Sequence, residues 1–102
     1  MATTTVPTTI RPGALELARE NGVERELYAI LDKGREMLLG LKGFVVEAEP
    51  VTEMGDRRVV TRAIIDPAYD DDRSHVAWWH WRIEAFGIPV AERFLCTTAV
   101  EE

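Results

Sequence analysis

The stretch His75–Pro89, HVAWWHWRIEAFGIP, decides the fold, because it holds all three tryptophans and both histidines of the chain and fits either a helix or a strand. As a strand, neither of its faces is uniformly apolar. At about 100° per residue, one side of a helix gathers Val76, Trp79, Ile83 and Phe86. Gly87 and Pro89 then suit a helix end. The stretch therefore predicts a helix over 74–86 with Trp79 in the core.

Upstream of this helix, the pattern predicts two helical segments and a hairpin. Residues 14–20 are helical in pattern, Asn21–Gly22 interrupts them, and apolar residues recur at steps of three, four and seven from Val23 to Leu41. Gly34 lies on that apolar face, where a missing side chain lets another element approach closely. Residues 44–49 and 57–66 read as strands joined by a turn at 53–56.

A last strand over 92–100 completes the expected fold. The order is helix, strand, strand, helix, strand, which predicts a small two-layer α+β domain with helices on one face of a largely antiparallel sheet. A four-stranded meander, with 74–86 as a strand, is the alternative. Residues 1–11 are Thr-rich and are expected to form a flexible arm, and 12–102 a single domain.

Charged residues of the predicted hairpin favour structural pairing over ligand binding. Glutamates on the first strand can face Arg57, Arg58 and Arg62 on the second, and cross-strand ion pairs are common in sheets. We expect such pairs rather than an anion site.

The bulk composition excludes several classes of function. The chain has 102 residues and a net charge of −6, which argues against a nucleic-acid binder. A single cysteine allows no internal disulfide, and neither a signal peptide nor an apolar run of membrane-spanning length is present. We therefore expect a cytoplasmic protein without membrane or nucleic-acid partners.

A second apolar sector of the predicted helix favours an interaction surface. Trp78, Trp81 and Ala85 lie away from the Trp79 stripe, and Arg82 follows Trp78 by one turn. Because Trp and Arg dominate binding hot spots, these four residues are the candidate interface of a non-catalytic module that binds a protein partner or a second copy of itself. The alternative is that the N-terminal helix or the arm covers this sector.

Catalytic chemistry has weaker support, since no motif for a nucleophile, phosphate or dinucleotide is present. One alternative function is a metal-assisted hydrolase or nuclease whose ligands are Asp66, Asp70, Asp72 and His75. Another is an antitoxin-like or inhibitor-like protein that offers the acidic segment 66–72 and Glu101–Glu102 to a basic partner. No cofactor is expected.

Overall fold

The computed structural model describes residues 7–49, 57–69 and 72–100. In these ranges the strands are β1 (Thr8–Ile10), β2 (Leu41–Ala48), β3 (Val59–Ile65) and β4 (Phe94–Val100). The helices are α1 (Ala14–Glu20), α2 (Glu24–Met37), α3 (Asp72–Phe86) and the single turn α4 (Ile88–Ala91), and a 3-10 turn spans Pro67–Tyr69. The predicted turn at 53–56 lies outside the described residues.

The helix expected over 74–86 is confirmed as α3, and the helix over 14–20 as α1. The second helix is shorter than predicted. It ends at Met37, where Leu38 takes an extended backbone, and Gly40 turns the chain at a φ of 70°. Leu41 then enters the sheet, so the apolar periodicity that continues to Leu41 belongs to two different elements.

The sheet is mixed, so the prediction of a largely antiparallel sheet in helix–strand–strand–helix–strand order is wrong. Its order is β1-β2-β3-β4, with β2 and β3 antiparallel but β1 parallel to β2 and β4 parallel to β3. The physical reason is connectivity: a hairpin joins antiparallel neighbours, whereas a helical crossover between adjacent strands joins parallel ones. The α+β class itself is correct.

Strand β1 lies within the segment expected to be a flexible arm. Its three residues pair with β2, and backbone bonds flank it: Phe44 N–H donates to Pro7 at 3.0 Å and Arg11 N–H donates to Val46 at 2.8 Å. These bonds are non-local, so local composition gives no signal for them. For residues 1–6, which lie outside the described residues, the arm stays a prediction.

Both crossovers lie on the same face of the sheet, because α2 and α3 pack against each other there. The strands follow one another across the sheet in chain order, so both crossovers step in the same direction. However, β1 and β2 run antiparallel to β3 and β4. The two crossovers consequently have opposite hands. One of them departs from the right-handed preference of such units.

The core lies between the helices and the inward face of the sheet. Gly34 of α2 sits against the rings of Phe44 on β2 and Trp78 on α3, so the predicted close approach at this glycine is confirmed. The expected cross-strand charge pairs are also confirmed. Arg58 Nη2 lies 2.7 Å from Glu49 Oε2, and Arg62 Nη1 lies 3.5 Å from Glu47 Oε1.

Candidate binding site between helix α3 and strand β4

Trp78 is a core residue. Its side chain is 1% exposed, its indole Nε1 donates to the Ile30 carbonyl at 3.0 Å, and its ring centroid lies 5.9 Å from that of Phe44. The hydrogen bond satisfies the one polar atom of the indole inside the core. Helix α2 therefore covers Trp78, rather than the N-terminal helix or the arm.

The four predicted interface residues do not form one surface. Trp81 is half-buried, edge to face with Phe86 and 5.8 Å below Lys33 Nζ, while Ala85 is exposed. Arg82 is buried like Trp78. The structure thus places Trp78 and Trp81 beside α2 and leaves Ala85 alone at the surface.

The large exposed apolar residues of α3 are instead Val76 and Trp79, which are 50% and 38% exposed. The prediction that Trp79 belongs to the core is wrong. Tryptophans 78, 79 and 81 span about 160° of the helix circumference, so periodicity alone does not select which of them is buried. Packing against Gly34 selects Trp78, because only that sector meets a surface with room for an indole.

Arg82 carries a buried charge with neutral surroundings. It is 7% exposed, its Nη1 donates to the Ala91 carbonyl at 2.7 Å, and its Nε is buried without a hydrogen-bond partner. The guanidinium carbon lies 5.1 Å from the ring centroid of Trp79, not of Trp78. Among the side chains of residues 7–49, 57–69 and 73–100, no carboxylate lies within ion-pair distance of Arg82. Burying such an ion costs several kcal/mol.

A groove of about 330 Å³ opens beside this guanidinium. Its walls combine apolar side chains with a few charged ones, a composition typical of small-ligand sites. The lining residues are Trp79, Arg82, Ile83, Ile88, Ala91 and Phe94, with Arg58 and Glu92. An adjoining groove is lined by Arg57, Arg58, Pro89, Glu92 and Arg93. This end of the sheet is therefore locally rich in arginine, although the whole chain is acidic.

On the other side of Trp79 lies a groove of about 240 Å³ between α3 and β4. Here His75 Nδ1 lies 3.4 Å from Thr98 Oγ1, and Thr61 Oγ1 donates to Cys96 Sγ at 3.2 Å. Burial raises the pKa of the Cys96 thiol, while the hydroxyl of Thr61 and the guanidinium of Arg82 act in the opposite direction. A thiol held in this way is a poor nucleophile, because the thiolate is the reactive form.

Strand β4 forms one edge of the sheet described here. Val59 N–H donates to the Arg93 carbonyl, and Val59 is the register partner of Phe94. Because backbone groups alternate in direction along a strand, the N–H and C=O groups of Phe94, Cys96, Thr98 and Val100 point to the free edge. The backbone groups of Leu95, Thr97 and Ala99 point to β3.

The predicted metal ligands are only partly described. Asp66 Oδ1 accepts a hydrogen bond from the Ala68 N–H at 2.9 Å, and its Oδ2 lies 3.9 Å from Lys42 Nζ. This carboxylate therefore stabilises the turn that follows β3. His75 faces β4 instead. Asp70 and the side chain of Asp72 lie outside the described residues, so the four-residue set stays a prediction. Within the described ranges, no three His, Cys, Asp or Glu side chains are grouped closely enough to hold a metal ion.

None of the described helices combines the length and the apolar character that a membrane span requires. No protein-family model, curated protein or solved structure matches the chain.

Proposed function

We propose that this protein is a non-catalytic interaction module that pairs with a second copy of itself through the free edge of β4 and the neighbouring flank of α3. The observation that carries the proposal is the edge strand itself. Residues 94–100, FLCTTAV, contain neither a charge nor a proline. Natural edge strands are normally protected by such residues, by bulges or by being very short, and β1 at the opposite edge has only three residues.

A second copy fits this edge by symmetry. In an antiparallel pair centred on Thr97, Cys96 exchanges backbone hydrogen bonds with Thr98 of the second copy, and Phe94 does so with Val100. These are the residues whose backbone groups point outward. The two-fold axis is normal to the sheet, so helices α3 of both copies lie on the same side and face each other across the axis. Val76 and Trp79, exposed in one copy, would then be covered.

Charge is compatible with this pairing. A net charge of −6 opposes association at long range, but the uncharged strand keeps like charges out of the direct contact. A reducing, cytoplasmic setting belongs to the proposal, and its support is the single cysteine, which is a free, buried thiol. We still expect the partner to be a protein, either another protein or a second copy of this chain, and not a nucleic acid.

Charge reversal at Thr97 tests the proposal. Residue 97 would face its own copy across the axis, where opposite side chains lie about 5 Å apart at Cβ. We expect wild type to sediment as a dimer, and Thr97→Lys and Thr97→Glu each to be folded monomers, since like charges at that separation cost roughly 1–3 kcal/mol. Mixing the two variants should restore a dimer. A monomeric wild type at millimolar concentration, or a mixture that stays monomeric, would overturn the proposal.

Two single proline substitutions, at Thr98 and at Thr97, distinguish pairing through the backbone from contact between side chains. Thr98→Pro removes an N–H that points to the free edge, so we expect a folded monomer by circular dichroism and sedimentation. Thr97→Pro removes an N–H that points to β3 and should instead lower the stability of the fold. A Thr98→Pro variant that remains fully dimeric contradicts pairing through the β4 edge.

A further inference from the structure

The guanidinium of Arg82 is a buried cation. Its contacts with the Ala91 carbonyl, the Trp79 ring and the Cys96 thiol are all contacts with neutral groups. An apolar side chain of similar length would fill the same space without the cost of desolvating a charge, although it would remove the donor to the Ala91 carbonyl. The Nε atom of Arg82, moreover, is buried without an acceptor.

The groove beside Arg82 supplies the rest of a binding site. Ile83 and Ile88 provide apolar wall, and Trp79 provides an aromatic face. The charges along the groove are Arg82 and Arg58 against the single carboxylate of Glu92. Arg58 is already paired with Glu49, so Arg82 is the cation there that lacks a carboxylate partner among the described residues.

We propose that this groove binds a small organic carboxylate with an apolar body, whose carboxylate serves as the counter-ion of Arg82. A volume of about 330 Å³ lies at the lower end of the range for ligand pockets, so the ligand is a monocarboxylate with a short aliphatic or single-ring body. The guanidinium recognises the carboxylate by charge-assisted hydrogen bonding. The isoleucines and Trp79 recognise the apolar body through its removal from water.

The apolar wall distinguishes this site from a general anion site. It gives no advantage to inorganic phosphate, which has no apolar part. The groove shares Trp79 and Phe94 with the proposed dimer face, but Arg82, Ile83 and Ile88 are not part of that face. The monomeric Thr97→Lys variant keeps all of the groove residues, so it should still bind the carboxylate if the two proposals are separate.

The test is a titration with four probes, which are hexanoate, benzoate, hexanamide and inorganic phosphate. The direct readout is the Nε–Hε resonance of Arg82 in a nitrogen-15 correlation spectrum, with thermal stability as the second readout. Hexanoate or benzoate should move this resonance in a saturable way and raise Tm. Hexanamide, which has the same body without the charge, and phosphate should each bind about tenfold more weakly or worse.

Two matched variants locate the binding. Arg82→Met should abolish the rise of Tm with hexanoate, whereas Arg62→Met, the same substitution on the open face of the sheet, should leave it unchanged. The proposal is overturned if neither carboxylate moves the Arg82 resonance at about 10 mM, or if hexanamide or phosphate binds as well as hexanoate. Because the resonance is measured in wild type, the result stands even if Arg82→Met does not fold.

Discussion

Replacing Gly34 by alanine tests how tightly α2 packs on the core. An added Cβ would lie 2.6 Å from Phe44 Cζ and 3.1 Å from Trp78 Nε1. Neither ring has free space, since both residues are 1% exposed and Trp78 is also held by its bond to Ile30. The alanine therefore forces a shift of packed aromatic rings.

Two effects of opposite sign decide the result. Alanine in place of glycine inside a helix stabilises by about 1 kcal/mol, whereas overpacking a core costs about 1–3 kcal/mol. With both rings confined, overpacking should dominate, so we expect Gly34→Ala to lower the free energy of unfolding by up to about 2 kcal/mol. For a domain of this size, Tm falls by roughly 4–8 °C per kcal/mol.

Urea unfolding followed by circular dichroism and tryptophan fluorescence measures the change. Ala29→Gly, at a partly exposed position of α2, gives the helix-propensity term alone and should cost about 1 kcal/mol. Phe44→Leu removes the atom nearest to the added Cβ, so Gly34→Ala should be less harmful in that background. If Gly34→Ala stabilises the wild-type chain by the full propensity term, the packing argument is refuted.

Three further predictions concern single side-chain interactions. Trp78→Phe removes the donor to the Ile30 carbonyl and leaves a cavity, and should lower the free energy of unfolding by about 2–4 kcal/mol in urea titrations; a loss below 1 kcal/mol would contradict the packing described. A hydrogen bond from Arg58 lowers the pKa of Glu49 below its usual 4.5, so their interaction stabilises the fold above that pH and is lost as the pH falls through the lowered pKa. Because this ion pair lies near the surface, it contributes about 1 kcal/mol or less. Glu49→Gln should therefore reduce the difference in urea midpoint between pH 7 and pH 3. An unchanged difference would exclude a stabilising contribution from the pair. The Cys96 thiol, whose pKa is raised by burial, should react with a disulfide reagent at pH 8 only at the rate of chain opening, and fast labelling of the native protein would show that the site is accessible.

Much of the local structure follows from the sequence. The helical spacing of apolar residues and the Gly87–Pro89 stop identify α3 as a helix, although the predicted buried stripe contains the exposed Val76 and Trp79. The position of Gly34 on the apolar face of α2 predicts its close contact. Alternation along the hairpin predicts the ion pairs of Glu47 and Glu49, since residues opposite each other on paired strands share a face.

The candidate site is less accessible to sequence reasoning. The sequence places Arg82 beside the tryptophans of a candidate interface, but the residue is buried. Its proposed role rests on the lack of a carboxylate partner among the described residues and on the adjacent groove. Ile83 and Phe94 line that groove from two elements that are far apart in the chain. A charged residue at position 82, on the same side of α3 as Trp78 and Ala85, is the sequence feature that could have indicated the site.

By itself, then, the sequence determined that α1, α3 and most of α2 are helical and which charges pair across the hairpin, because each of these depends on neighbours within a few residues or on one hairpin. Only the tertiary structure decided that residues 8–10 are a strand, that two of the three strand pairings are parallel, and that Trp78 rather than Trp79 is buried. These outcomes depend on surfaces supplied by distant parts of the chain. An apolar sector of a helix becomes core only where another element offers a surface of matching shape, and for α3 that element is α2.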